Sequence, residues 1–171
     1  IATIQMGIPI ARVELIDGHT VAMVNKYSHL SLPEQPMLLM EFHGSQAGVE
    51  EQTAAVQEIA AEHGGSAFAW ARTPEDRTRL WTARHNALFA ALQSKPGCRC
   101  VTTDTCVPIS RLADCLLASV DEAKRSGLPY FLVGHVGDGN FHFGYLVDPA
   151  KPEEFVIAET LNRQLVARAL E

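Results

Sequence analysis

YFLVGHVGDGNFHFGYLV, residues 130–147, decides the fold. Two runs rich in aromatic and aliphatic residues flank Gly137-Asp138-Gly139-Asn140, the pattern of two antiparallel strands joined by a tight turn. With Asp138 and Gly139 at the centre of a type I′ turn, Gly137 faces Asn140, Val136 faces Phe141 and His135 faces His142. Opposed residues hold their Cβ atoms about 4.5–5.5 Å apart and share a sheet face. The pairing therefore brings both imidazoles together, with Asn140 on their face. Leu132, Val136, Phe141, Phe143 and Tyr145 take the opposite face. This predicts a core-facing row packed on helices, and a histidine face turned outward.

Working outward, strand-like and helix-like segments alternate, with no internal repeat. ARVELID (11–17) alternates like a half-buried strand, and a short helix is expected over 17–28. PMLLMEFHG (36–44) reads as a second strand, followed by a helix capped by Ser45 and ended by Gly64-Gly65. SAFAWA (66–71) reads as a third strand. Thr73-Pro74-Glu75-Asp76 starts a helix that runs to about Gln93. CRCVTTDTCVP (98–108) is a fourth strand, and Ser110 caps a helix that stops at Gly127. A last helix follows Pro152. The expected class is α+β: a ferredoxin-like sandwich, an antiparallel sheet with helices packed on one face.

The 171 residues suit one domain, and 47% hydrophobic with 20% charged residues is an ordinary globular balance. A net charge of −6 without a Lys/Arg cluster argues against nucleic-acid binding. No apolar run approaches the roughly 18–20 residues that cross a bilayer. The chain starts at Ile1 without a secretory pattern, so it reads as an excised piece whose targeting segment is out of view. Cys98, Cys100, Cys106 and Cys115 do not have the spacing of a structural zinc site and read as reduced, mostly buried thiols. No glycine-rich nucleotide-binding loop is present.

Two neutral imidazoles side by side suit a divalent metal, although a catalytic zinc takes three protein ligands. The plain alternative is a pair of half-exposed hairpin histidines without a role. Arg84 falls inside the apolar stripe of Leu80, Ala83, Ala87, Ala90 and Ala91, where a guanidinium needs a carboxylate. That carboxylate is either an internal partner or one from a substrate. Asp104 lines the pocket or binds a partner, and Ser110 reads as a cap. Glu41 and His43 share a strand face and are weaker ligand candidates.

VGHVGDGNFHFGYLVDP, with LWTARHNALFAA and DTCVPISRL upstream, resembles the C-terminal domain of FAD-linked oxidases, the D-lactate and D-2-hydroxyacid dehydrogenases and glycolate oxidase D-type subunits. ARVELID, NKYSHLSLPEQP and LLMEFHGS look most like the cytochrome-type D-lactate dehydrogenase branch. The resemblance implies an FAD-dependent enzyme in which a separate domain of the same polypeptide binds FAD and this domain supplies the substrate site. It implies that His135 and His142 bind a zinc or manganese ion and that Arg84 binds the carboxylate of a small 2-hydroxy acid. Asp104 and Asn140 are expected at the substrate, Asn140 also at the cofactor. It further implies electron transfer to a cytochrome, a quinone or another carrier, with a homodimer among the assemblies considered. A third metal ligand and the general base would lie in a Glu-His-Gly motif beyond Glu171, so the chain alone is expected to be inactive. Gly144 stands where many relatives carry Asn. The expected compartment is cytoplasmic, with membrane association only through an electron acceptor. A metal-dependent hydrolase and a non-catalytic ferredoxin-like ligand-binding module are the alternatives.

Overall fold

The computed structural model describes residues 1–66, 68–71 and 73–171. In chain order the elements are α1 (Ala2–Gln5), β1 (Ile10–Ile16), α2 (Gly18–Ser28), β2 (Met37–Phe42), α3 (Gln46–Glu62), α4 (Pro74–His85) and α5 (Ala87–Ser94). There follow β3 (Arg99–Thr102), β4 (Thr105–Cys106), α6 (Ile109–Ser126), β5 (Tyr130–His135), β6 (Asn140–Val147) and α7 (Pro152–Leu170). The strands form one antiparallel sheet in the order β2-β1-β5-β6-β3, with β4 also on β6. This is the α+β class that the sequence predicts.

Helix starts follow local chemistry. The side chains of Asp17, Ser45 and Thr73 accept from the backbone N–H of Thr20, Gly48 and Asp76, satisfying donors that the first helical turn leaves open. Pro108, not Ser110, precedes α6, and Gly127 ends it at φ 74°. The helix expected over 74–93 breaks at Asn86, whose amide donates to Ser28 Oγ at 2.9 Å. The segment 66–71 includes residue 67, which lies outside the described residues, and its described residues form no strand.

The layers differ from the expectation. Leu132, Phe141, Phe143, Tyr145 and Val147 pack with Leu112, Cys115, Leu161 and Leu165 from α6 and α7. Each fully buried aromatic or leucine contributes about 1.5–3 kcal/mol, which anchors this face. Ile16, Phe131, Val133 and Leu146 point the other way, into Val21 and Val24 of α2 and Ala87, Ala90 and Ala91 of α5. Helices thus cover both faces, not one. The histidine side of the hairpin is the open end of this second core.

The hairpin register also differs. A type I′ turn needs positive φ at both central residues, and here only Gly139 has it, at 77°. The strands are joined by the four residues Val136–Gly139, so His135 pairs with Asn140 and His142 with Val133. A shift of two residues preserves the faces. The histidines become diagonal neighbours on one side instead of direct partners.

Candidate functional site

The fourth predicted strand is split, and the split builds part of the site. Thr103 leaves the ladder: its Oγ1 accepts from Phe143 N at 2.9 Å, and its own N–H donates to Phe143 O at 2.8 Å. Asp104 is thereby turned outward between β3 and β4. It accepts from Asn140 Nδ2 at 2.8 Å and lies 3.4 Å from His142 Nδ1. His142 Nδ1 also lies 3.3 Å from the Thr103 carbonyl.

The rings of His135 and His142 meet edge-to-face, with centroids 5.5 Å apart. Across the sheet, Glu14 of β1 stands beside His135. The two are 2.6 Å apart, Oε1 to Nδ1, and Arg84 Nε donates to Oε2 of the same carboxylate at 2.9 Å. Glu14 is 4% exposed, so an acid unpaired there would be costly. Arg84 therefore has the internal partner that its apolar stripe demanded. Its Nε makes that bond, and among the described residues its two terminal nitrogens make none.

A continuous chain of contacts results: Arg84, Glu14, His135, His142, Asp104, Asn140. All five residues expected at the site belong to it. Glu14 was missed. A cleft of about 700 Å³ opens beside it, lined by Glu14, His135 and Asp138 together with Ile8 and Pro9.

Both histidines direct Nδ1 at oxygen atoms that can only accept, so Nδ1 is the donor, and in the neutral imidazole Nε2 is the nitrogen with the lone pair. This is the arrangement seen around metal-ligating imidazoles, where an outer oxygen fixes the tautomer. Among the described residues, no three His, Cys, Asp or Glu side chains gather to hold a metal. Glu41 is joined to Arg12, Arg77 and His43 and not to the motif histidines.

The cysteines are all free. Burial pushes the Cys100 thiol up to about 11, helped by Cys98, and raises Cys115 as well. Both are protonated packing groups. Cys106 is exposed at the rim, against the expectation of burial, with Sγ 3.4 Å from Asp138 O.

Residues 1–171 match the family model for FAD linked oxidases, C-terminal domain. The chain belongs to this family. It is similar to a protein named probable D-lactate dehydrogenase, mitochondrial, from Danio rerio, 41% identical over 98% of this chain and 34% of that one. A second, named D-lactate dehydrogenase [cytochrome], mitochondrial, from Arabidopsis thaliana, is 41% identical over 99% of this chain and 30% of its own. The FAD-linked oxidase C-terminal domain thus spans about a third of the length of these relatives. Its fold matches 4-ethylphenol oxidase from Gulosibacter chungangensis, with a TM-score of 0.60 at 12% identity, covering 91% of this chain and 37% of that one. Among the described residues, no helix of the domain is long and apolar enough to cross a membrane.

Proposed function

We propose that this chain is the substrate-binding part of an FAD-dependent dehydrogenase that oxidises D-lactate or a related D-2-hydroxy acid to the 2-oxo acid. The observation that carries this reading is the single network joining Arg84 to the two histidines, Asp104 and Asn140. A 2-hydroxy acid needs a cation for its carboxylate and a polar group at its hydroxyl, one bond apart. Arg84 offers two terminal nitrogens in a fork that matches a carboxylate. The histidine Nε2 atoms and the Asn140 amide offer the polar end.

In this reading a separate domain of the polypeptide would hold FAD, and this chain would meet its ring at the substrate site. FAD would supply the two-electron acceptor, later emptied to a cytochrome or quinone, and a zinc or manganese ion would supply Lewis acidity at the hydroxyl. His135 and His142 are the residues that would hold that ion through Nε2, with further ligands from outside the described residues. Arg84 fixes the carboxylate and thus the direction in which the α-hydrogen points, while Asp104 restrains Asn140 against the substrate. Orientation of this kind is a large share of catalysis in hydride transfer.

The test is anaerobic addition of D-lactate and other D-2-hydroxy acids to the intact, FAD-loaded protein. Bleaching of the flavin band, slowed at least a hundredfold by Arg84→Met, is the expected result. Absence of bleaching with every acid tried, alongside hydrolysis of esters or amides, overturns it in favour of a metal-dependent hydrolase.

A further inference from the structure

Glu14 does two things at once, and the hairpin motif contains no hint of it. It sits on β1, 4% exposed, with one oxygen 2.6 Å from His135 Nδ1 and the other accepting from Arg84 Nε at 2.9 Å. Its neighbours leave it little freedom. Leu39 of β2 pairs beside it, and Ile16, two residues along the same face, is fully buried. We infer that Glu14 is a positioning residue that sets Arg84 and His135 together. It pins the guanidinium through Nε, so the two terminal nitrogens are presented as a unit. It also fixes the His135 ring through Nδ1, which leaves Nε2 as the nitrogen free for a ligand.

This inference rests on the proposed function, and it explains a feature that a purely structural ion pair does not. A structural partner for Arg84 needs one oxygen; here the second oxygen is committed to the ring that would meet the ligand. The carboxylate acts as a rigid bridge between the group for the substrate carboxylate and the group for the hydroxyl. Outer partners of this kind are worth about 10–100-fold in metal affinity or activity.

Glu14→Gln separates the two roles. It preserves the shape, but only one of its two terminal atoms can accept, so the NH2 must face either Arg84 or His135. If the oxygen stays with Arg84, the NH2 donates to Nδ1 and drives the ring proton to Nε2. The intact, FAD-loaded protein is used, with zinc affinity measured by competition against a chromogenic chelator and KM for D-lactate measured separately. The expected result is a loss of about 10–100-fold in zinc affinity, in substrate KM, or in both. Values for zinc affinity and KM within twofold of wild type, with only thermal stability reduced, overturn the inference. Should Glu14→Gln fail to fold, Glu14→Asp keeps the charge but withdraws it by one methylene, and is read against the same limits. The controls keep the two claims apart. A wild type that binds zinc without flavin bleaching overturns the proposed function, and the zinc measurement still decides Glu14. A wild type that bleaches with D-lactate while Glu14→Gln matches it in both constants overturns the inference alone.

Discussion

Gly144 and Phe131 form a pair whose coupling can be worked out in advance. They face each other across β5 and β6. A Cβ built on Gly144 would lie 1.9 Å from Phe131 Cε1 and within 2.6 Å of two further ring atoms. The ring therefore occupies the space that a side chain at 144 would need. It is 4% exposed and part of the core under α2 and α5, so it has no free direction of retreat. Gly144→Ala is expected to cost about 1–3 kcal/mol as overpacking, and Phe131→Ala about 3–5 kcal/mol as a cavity. In the double variant the new methyl enters the space that the ring has left. The total should then fall near the Phe131→Ala value alone, leaving a coupling of at least about 1 kcal/mol, well beyond the roughly 0.5 kcal/mol scatter of independent sites. Urea denaturation of the four proteins, followed by tryptophan fluorescence and circular dichroism, measures it. Losses that simply add would refute the contact and, with it, the steric reason for glycine at position 144.

Other consequences follow from single contacts. Gly139→Ala must fit a Cβ 2.1 Å from the Val107 carbonyl at φ 77°, so it should break the Val107 N–H to Gly139 O bond and cost at least about 1 kcal/mol; amide exchange at Val107 reports it. Glu154 is held down to about 2 by Lys95 and by the backbone N–H of Asp148. Because its folded value is lowered, its contribution is complete above its ordinary value near 4.5 and disappears as pH falls from there through about 2. The urea midpoint should drop across that window, and less so in Lys95→Ala. Asp104→Ala removes an exposed side chain and should change stability by less than about 0.5 kcal/mol, while releasing Asn140 and raising KM for D-lactate; an unchanged KM would exclude Asp104 from the site.

How far the sequence could be read is best seen at three places. The aromatic row of Leu132, Phe141, Phe143 and Tyr145 was legible because period-two alternation survives a shift of register by two. The turn type was not, because Asp-Gly permits a type I′ turn without enforcing it, and the loop is held from outside by Gly137 N–H to Val13 O and Val107 N–H to Gly139 O. Glu14 was illegible for a different reason. In ARVELID, Val13 and Leu15 look like the inward face, yet they are half-buried while Glu14 and Ile16 are covered. Alternation reveals that two faces exist, but with helices on both sides it cannot say which is deeper. Arg84 was the one available signal, since a guanidinium in an apolar stripe requires an acid somewhere.

The central claim is that the face joining Arg84, Glu14 and the two histidines holds a 2-hydroxy acid. A crystal structure of the intact protein with bound D-lactate or its 2-oxo product tests it most directly. The account predicts the ligand carboxylate on the terminal nitrogens of Arg84, at about 2.7–2.9 Å, with its C2 oxygen directed at His135 and His142. A ligand bound elsewhere, with Arg84 still turned only to Glu14, would contradict it.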